Sequence, residues 1–323
     1  MSSCSPNLRT RNIESREEWL SWRKKVIGAS EAGAILGIDP WRTPLAVYYD
    51  KRGELQRDSS ELAERGIDLE PGIVNAFRRR HPEYHVYAPD VFYDDPAFRV
   101  GCTPDAFFTW EENGKPKHGV LQCKLVSRKV FETQWQSGET PPIYYKLQTL
   151  VEAKLTGADR AILYAYVIDE FGGKPYEFEI TVDDPNSNAT FDIFLRSAQY
   201  FWDRFDKQEP PPVNADMDGK TLHRVFREDN GQTVDMDGDE ELREWIERHE
   251  TLSAQIAMER HAASNEAHKE RERLRTLIKA KIGAAESIKV GGNLVSWKTT
   301  KLQREKQSYR VLRIIPIKPD SQE

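Results

Sequence analysis

A nearly uninterrupted apolar run, Ala161–Ile168, constrains the fold more than any other segment of the chain. Its length and its β-branched and aromatic residues predict a strand, and a strand without polar positions must be covered on both faces. A helix is predicted before it, Tyr144–Thr156, and an alternating outer strand after it, Tyr176–Val182. Because a further helix follows at Pro185–Lys207, this half of the chain belongs to the α/β class.

The chain before this run changes from helical to strand-like periodicity near residue 84. Ser30 is predicted to cap a short helix, and Pro71 is predicted to interrupt a longer one. The predicted helices are residues 17–26, 30–37, 44–52 and 61–80. Three aromatic or β-branched runs then predict a meander of three strands: Tyr84–Tyr93, Phe98–Phe108 and Gly119–Val126. The order helix, three strands, helix, strand, strand, helix is that of a mixed α/β layer.

A run of three prolines, Pro210–Pro212, marks the predicted end of this block. We therefore expect a core at residues 1–209, a polar and irregular linker at 210–238, and a separate region at 239–323. Heptad-like apolar spacing in that region is broken by charged residues, so a packed arm or a bent helical hairpin is as reasonable as a coiled coil. A β-hairpin is predicted around Gly291-Gly292.

The charge of the chain limits how it can bind nucleic acid. With 47 Lys and Arg against 53 Asp and Glu, the net charge is -6, so contact with DNA must be local. Between Lys289 and Lys318 eight basic residues accompany one acidic residue. This basic tail is expected to be either a solvated face or a DNA contact.

Two features of the sequence predict where the protein resides. No run approaches the roughly 20 apolar residues that span a bilayer, so no membrane association is expected. The N-terminus also lacks the pattern of a secretory signal. The cysteines Cys4, Cys102 and Cys123 form neither a disulfide framework nor a metal-thiolate motif, which is typical of a reducing compartment. The cytoplasm is the expected location.

Polar residues interrupt the strand-like texture at three positions: Asp105, Gln122 and Lys124. Gln122 and Lys124 share one face of their strand because side chains alternate with period two. If the strands are antiparallel neighbours, Asp105 lies beside them, and the helix that carries Glu70 can cover the same end. The result is an oxygen-rich cluster with one ammonium group.

Such a cluster suits a hard cation and hydrolysis of a phosphodiester. Mg²⁺, or Mn²⁺ as a substitute, prefers carboxylate, carbonyl and water oxygens. Glu70, Asp105, the Gln122 side chain and the backbone carbonyl of Cys123 are the candidate ligands, and Lys124 would orient or deprotonate the attacking water. Taken alone these residues are a weak signal, because many strand-end Asp and Lys residues serve only the fold.

A series of short motifs follows in fixed order over roughly residues 15–170. In order they are Trp22-Arg23, Ile27–Glu31, Ala34–Gly37, Pro40–Pro44, Arg65-Gly66, Glu70-Pro71, Thr103–Asp105, Leu121–Lys124 and Tyr144–Gln148. This series closely resembles the YqaJ-like viral recombinase family. That family comprises phage-type exonucleases related to lambda exonuclease, within the PD-(D/E)xK nuclease superfamily. The resemblance implies a restriction-endonuclease-like α/β core, a mixed sheet flanked by helices, followed here by a mostly helical, basic C-terminal extension.

The resemblance also implies roles for individual residues. Glu70, Asp105, Gln122 and Lys124 take the positions of the active site, with Gln122 where Glu is usual. A neutral amide offers an oxygen but no charge, and a functioning variant is the preferred interpretation. The residues implied as a pocket for a terminal 5′-phosphate are Arg23, Ser30 and Thr103. An arginine fork suits phosphate, and free N–H groups at a Ser30-capped helix would add to it.

Three further residues keep two interpretations each. Tyr144 and Gln148 lie one turn apart on a helix and either contact the DNA backbone or support the core. Trp41, next to Pro40 in a loop, either stacks on a terminal base or anchors the loop.

The expected function is that of a Mg²⁺-dependent exonuclease in phage-type recombination, which resects the 5′-ended strand of linear duplex DNA and leaves 3′ tails. An endonuclease or nickase is the alternative enzyme. A DNA-end-binding scaffold that has lost catalysis through Gln122 is the alternative from another class. The implied partners are DNA ends, a single-strand annealing protein and further copies of the chain, a trimer by resemblance. A phage or prophage origin in a bacterial cell accords with this expectation.

Overall fold

Two compact units make up the chain: Met1–Lys51 with Arg57–Pro210, and Arg52–Gln56 with Pro211–Glu323. The structure is a computed structural model and describes residues 7–55, 61–170, 172–258, 265–301 and 308–316. The helices of the first unit are α1 (Arg16–Arg23), α2 (Ala32–Ile35), α3 (Pro44–Lys51), α4 (Glu61–Arg80), α5 (Arg128–Gln134), α6 (Ile143–Thr156) and α7 (Pro185–Asp206). Its strands are β1 (Arg9–Asn12), β2 (Ile27–Gly28), β3 (His85–Tyr87), β4 (Val91–Asp95), β5 (Val100–Cys102), β6 (Ala106–Glu112), β7 (Lys115–Ser127), β8 (Arg160–Asp169) and β9 (Gly172–Ile180).

The central sheet of the first unit has the strand order β3-β6-β7-β8-β9. Only β7 and β8 pair in parallel, and α6 makes the crossover between them. With α4 in front of β3, this arrangement repeats the predicted order of helix, three strands, helix, strand, strand and helix. The predicted mixed α/β class is therefore confirmed for this unit.

Strand β8 is buried on both faces, as its apolar run predicted. Leu163 and Val167 pack with Leu150 of α6 on one side. Ile162 and Tyr164 pack with residues of α4, among them Phe77, on the other side. Each face of the sheet thus has its own core and its own helix. Replacing Phe77, which has no exposed surface, with Ala would cost roughly 3–5 kcal/mol of stability.

The predicted three-strand meander is wrong in its first two members. Each of these runs is divided into two strands that belong to different sheets, because β1, β4, β5 and β2 form a second sheet. The physical reason is a proline at each division, Pro89 between β3 and β4 and Pro104 between β5 and β6. Proline has no N–H for the ladder and cannot sit inside a central strand. The second division places Asp105 in the turn between the two sheets.

Two helix boundaries also differ from the prediction. Helix α4 continues through Pro71 without interruption, since Ile73, Val74 and Phe77 beyond it are held in the core. Ser30 does not cap a helix: it lies inside a 3₁₀ turn, Ala29–Glu31, and α2 begins after that turn. The expectation that Ser30 presents the free N–H groups of a helix start is therefore wrong.

The second unit contains a sheet as well as helices, and it begins at Pro211, next to the predicted edge of the core. Its helices are α8 (Gly219–Val225), α9 (Glu240–Met258) and α10 (Asn265–Ile282). Its strands are β10 (Thr233–Asp235), β11 (Ser287–Val290), β12 (Asn293–Lys301) and β13 (Ser308–Pro316), in that order in the sheet. The prediction of an irregular linker at 210–238 is wrong, because α8 and β10 lie within it.

The structure contains the predicted C-terminal hairpin and divides the predicted helical stretch into two helices. The hairpin at Gly291-Gly292 is present, with positive φ at both glycines and antiparallel pairing of β11 and β12. The long helical stretch is divided into α9 and α10, which pack through Leu252 and Leu274. Among the described helices, none combines the length and apolar character that crossing a bilayer requires.

The basic residues of the C-terminal segment do not form one uniform surface. Arg310 is buried, donates to the carbonyl oxygen of Gly283 at 2.7 Å, and stacks 3.9 Å from the ring centroid of Trp297. It is therefore a structural residue. Lys289 and Arg313 have exposed side chains. The side chains of Lys301, Arg304, Lys306 and Lys318 lie outside the described part of the chain.

Candidate active site

A cavity of about 1120 Å³ in the first unit is lined by the side chains predicted to carry the chemistry. Helix α4 supplies Glu70, the turn between β5 and β6 supplies Asp105, and β7 supplies Gln122 and Lys124. Asp105 comes beside β7 because β6 and β7 pair as antiparallel neighbours from the first residue of β6. The structure thus brings the four residues together.

The Asp105 carboxylate is fixed by two donors from β7. Its Oδ2 accepts from the backbone N–H of Cys123 at 2.7 Å and from the side-chain amide of Gln122. Burial raises the pKa of Asp105, while Lys124 and these donors act in the opposite direction. The pKa of Glu70 is raised to about 7 by burial and by the charge of Asp105, again opposed by Lys124. Two carboxyl groups are therefore held close enough to repel each other.

Both ends of the Gln122 amide are engaged inside the protein. The nitrogen donates to Asp105, and Oε1 accepts from Nε2 of Gln148 at 2.9 Å. The same Gln148 nitrogen donates to Oε1 of Glu152, also at 2.9 Å. The Gln122 oxygen, which was predicted as a metal ligand, therefore already accepts a hydrogen bond inside the protein. It belongs to a series of hydrogen-bonded side chains that runs from Asp105 to α6.

Glu152 is a member of the site that the sequence interpretation missed. It is 1% exposed, it lines the cavity, and its second oxygen, Oε2, has no hydrogen-bond partner in the part of the chain that the structure describes. Burial and the charge of Asp105 raise the pKa of Glu152 to about 8. The available signal was an acid four residues after Gln148, between the apolar residues Val151 and Ala153 of α6.

Lys124 contacts an aromatic residue that was also missed. Its Nζ lies 5.0 Å from the ring centroid of Tyr145, and both residues line the cavity. An ammonium group over an aromatic face is attracted by the ring quadrupole. Tyr145 therefore restricts the position of the only lysine predicted to act in the chemistry.

The residues implied for the terminal phosphate also converge at this cavity. A side-chain nitrogen of Arg23, Nη2, lies 3.0 Å from the hydroxyl of Ser30 and donates to it. The guanidinium carbon of Arg23 lies 4.7 Å from the ring centroid of Trp19, whose indole N–H donates to Thr103 at 3.1 Å. Arg23, Ser30 and Thr103 all line the cavity. Trp19 thus links the arginine to the hydroxyl of Thr103, a contact that the sequence did not predict.

A buried ion-pair network lies under the backbone of this pocket. The carboxylate of Glu31 accepts from Lys51 at 2.5 Å, from Arg42 at 2.9 Å and from the N–H of Gly28 at 2.9 Å. Lys51 also donates to the backbone carbonyl of Arg23 at 2.7 Å. Burial would raise the pKa of Glu31, but the charges of Lys51, Arg42 and Arg23 hold it well below its usual range. Glu31 and Lys51 thereby fix the two ends of the chain segment that carries the pocket.

Tyr144 and Trp41 do not line this cavity. The hydroxyl of Tyr144 donates to the side-chain oxygen of Gln134 at 3.4 Å, and burial raises the pKa of Tyr144 to about 12. Trp41 is 72% exposed, which does not fit a loop anchor. Gln148, the third residue with two interpretations, belongs to the cavity and to the series of hydrogen-bonded side chains described above.

The oxygen ligands of the cavity fit a hard divalent cation that binds few protein groups. Within the described residues no three His, Cys, Asp or Glu side chains converge as a chelating group. The groups available are the carboxylates of Glu70 and Asp105 and the carbonyl of Cys123, with water to complete the shell. Mg²⁺ normally keeps several waters and uses one or two carboxylates. A cation would also relieve the repulsion that raises the pKa of Glu70.

Comparison with known proteins agrees with the resemblance drawn from the motifs. A protein of Bacillus subtilis described as uncharacterized protein YqaJ is 26% identical over 320 residues, which cover 92% of this chain and 88% of that protein. The crystal structure of an alkaline exonuclease from Laribacter hongkongensis matches at 17% identity with a TM-score of 0.46. It covers 59% of this chain and 93% of the other. Its complex with dAMP matches at 16% identity with the same TM-score and coverage. Residues 18–159, which contain the candidate site residues Glu70, Asp105, Gln122 and Lys124, match the family model of the YqaJ-like viral recombinase domain.

Proposed function

We propose that this protein is a Mg²⁺-dependent DNA exonuclease of phage-type recombination. It would digest the 5′-ended strand of linear duplex DNA and leave 3′ single-stranded tails. The observation that carries the proposal is one cavity lined by Glu70, Asp105 and Lys124 together with the Arg23–Ser30 pair. Carboxylates and a lysine suit hydrolysis of a phosphodiester, and the arginine with a hydroxyl suits a terminal phosphate.

The side chains of the cavity have distinct tasks in this reaction. Asp105, held by the N–H of Cys123, and Glu70 would hold the cation, which when bound lowers the pKa of water and stabilises charge on phosphorus. Lys124, restrained by Tyr145, orients the attacking water. Gln122 keeps the Asp105 carboxylate in one orientation through its amide N–H.

Arg23, Ser30 and Thr103 bind the 5′-phosphate in the proposal. A guanidinium can donate two parallel hydrogen bonds to a phosphate, and hydroxyl groups add further donors. Because the network of Glu31 and Lys51 fixes the backbone on either side, the phosphate would be held at a set position relative to Asp105. The scissile bond would then be chosen by distance from the strand end and not by base sequence.

The proposal extends to partners. DNA ends are the substrate, a single-strand annealing protein would receive the 3′ tails, and the resemblance favours a homo-oligomer, a trimer. The rival function is a DNA-end-binding scaffold, which one observation favours: a neutral Gln122 stands where the resembled family usually has Glu. An endonuclease of the same superfamily is the rival enzyme.

Digestion of labelled DNA in Mg²⁺ separates these functions. The substrates are a linear duplex labelled at the 5′ ends, the same duplex labelled at the 3′ ends, and a covalently closed circle. The proposal predicts early release of label from the 5′ ends, late release from the 3′ ends and an intact circle. Cutting of the circle would support the endonuclease, and binding of ends without release of nucleotides would support the scaffold.

A further inference from the structure

Glu152 is a buried acidic residue for which the proposed mechanism has no task. It is 1% exposed, and its oxygen Oε2 has no hydrogen-bond partner among the described residues. A carboxylate removed from water without full pairing is costly, and an apolar side chain would serve a core position in α6 better. Its neighbours on the helix, Val151 and Ala153, are buried apolar residues. An acidic residue at this position is therefore expected to interact with a polar group. Glu152 also lines the cavity.

A continuous chain of hydrogen bonds joins Glu152 to the active site. Gln148 donates from one nitrogen to Oε1 of Glu152 and to Oε1 of Gln122, both at 2.9 Å. Gln122 in turn donates to Asp105. Because Gln148 can only donate from this nitrogen, Glu152 and Gln122 must both present oxygen to it. The Gln122 amide is thereby forced to present its N–H group, and not its oxygen, to the Asp105 carboxylate.

We propose that Glu152 is a positioning residue for the cation site, acting through Gln148 and Gln122. The inference rests on the proposed function and deepens it. No three acidic side chains among those the structure describes chelate a single ion. Glu152 therefore orients the residues that would bind the cation and is not a ligand itself. Partners of this kind are known to change metal affinity by roughly 10–100-fold when they are replaced.

A double-mutant cycle along the hydrogen-bond chain provides the test. Four proteins are compared: wild type, Glu152→Gln, Gln148→Met, and the double variant Gln148→Met/Glu152→Gln. Gln148→Met breaks the chain between Glu152 and Gln122, so Glu152 has no route to the cation site in the double variant. Mn²⁺ binding is measured by calorimetry on the full chain without DNA, thermal unfolding is followed in parallel, and nucleotide release is assayed last.

The proposal predicts that Glu152→Gln weakens Mn²⁺ binding by about tenfold, because an amide can turn its N–H toward Gln148 and disrupt the chain, and that the double variant binds no more weakly than Gln148→Met alone. If Glu152 serves only the fold, Glu152→Gln binds Mn²⁺ like wild type, which would overturn the inference, as would additive losses in the double variant. Should Glu152→Gln not fold, Gln148→Met breaks the same chain and must weaken Mn²⁺ binding by a similar factor. Glu111→Gln, which removes an exposed charge at the far end of β6, is the matched control and must bind like wild type.

The result for wild type distinguishes failure of this inference from failure of the proposed function. If wild type binds no Mn²⁺ and releases no nucleotide, the nuclease itself is refuted and Glu152 has no cation site to serve. If wild type binds Mn²⁺ and cleaves while Glu152→Gln does both equally well, only the positioning role is refuted.

Discussion

At the scale of single residues, Arg23 is the side chain that would bind the end of a DNA strand in the proposed function. Its side chain is shared between Ser30 and the Trp19 ring at the edge of the cavity. We expect linear duplex with 5′-phosphates to be degraded faster than duplex with 5′-hydroxyls, and Arg23→Ala to erase most of that difference. A charged hydrogen bond of this kind contributes roughly 1.5–3 kcal/mol, about 10- to 150-fold in rate.

The matched variants separate phosphate recognition from general DNA binding. Arg23→Lys should restore only part of the preference, since a point charge lacks the two-pronged fit of guanidinium. Arg79→Ala removes an exposed arginine on α4 that does not line the cavity and should leave the preference intact. Equal rates on both kinds of end in the wild type would show that Arg23 does not form a phosphate pocket.

Some contacts of the candidate site could be predicted from the sequence, and others could not. The meeting of Asp105, Gln122 and Lys124 followed from the two-residue period of a strand and from antiparallel pairing, both of which are local patterns. The position of Glu152 relative to Gln122 did not follow, because it depends on how α6 packs against β7 across the parallel crossover. An acid between buried apolar residues indicates an unusual environment, but it does not identify the groups that surround it.

At the scale of elements, the ion pair between Glu31 of the 3₁₀ turn and Lys51 of α3 holds the pocket segment in place. Neither side chain has more than 2% exposed surface, and Arg42 adds a second cation to Glu31. Glu31→Gln would remove the carboxylate that pairs with Lys51, whereas Arg42 would keep its ion pair with Asp50. We expect the free energy of unfolding at pH 7, measured by urea titration, to fall by roughly 3–5 kcal/mol.

The same pair predicts a dependence of stability on pH. The folded-state pKa of Glu31 lies below its ordinary value near 4.5, so the folded protein binds this proton less tightly than the unfolded chain. The stabilisation is present above pH 4.5 and is lost as the pH falls below it through the folded pKa. Urea titrations between pH 7 and pH 3.5 should show a steeper loss for wild type than for Glu31→Gln. Glu17→Gln, an exposed change on α1, should follow wild type, and parallel curves for all three proteins would contradict the assignment.

Elements were predicted well where their own pattern defined them and poorly where a proline had to be weighed against packing. Pro89 and Pro104 ended strands that composition alone would have continued, whereas Pro71 did not end a helix whose next turns are buried. The physical difference is that an absent N–H interrupts a sheet ladder, while buried apolar contacts compensate one lost bond in a long helix. Sequence patterns give no measure of that compensation.

At the scale of the whole molecule, the second unit offers exposed basic residues for DNA. Arg310 is excluded because it is buried, and Lys298 is paired with Glu286 at 2.5 Å. Lys289 and Arg313 remain as exposed candidates. We expect Lys289→Glu combined with Arg313→Glu to weaken duplex binding and to reduce the slope of log affinity against log salt by about 1–2, since each phosphate contact adds roughly 0.9.

Fluorescence anisotropy with labelled duplex in Ca²⁺ at several salt concentrations would measure this slope. A variant with the same change in net charge, Arg79→Glu combined with Lys115→Glu, is the control and should keep the wild-type slope. Both of its positions are exposed in the first unit and do not line the cavity. An unchanged slope for the Lys289 and Arg313 variant would assign those charges to solvation alone.

The central claim is that the cavity around Asp105 hydrolyses DNA, and the rate of nucleotide release tests it most directly. Wild type, Asp105→Asn and Lys124→Ala are compared on linear duplex in Mg²⁺, with circular dichroism to verify folding and Asp183→Asn, an exposed aspartate, as control. We predict release by wild type and the control, and none above background by the other two. Release by Asp105→Asn or Lys124→Ala within about tenfold of wild type, a difference of at most about 1.4 kcal/mol in barrier, would contradict the claim.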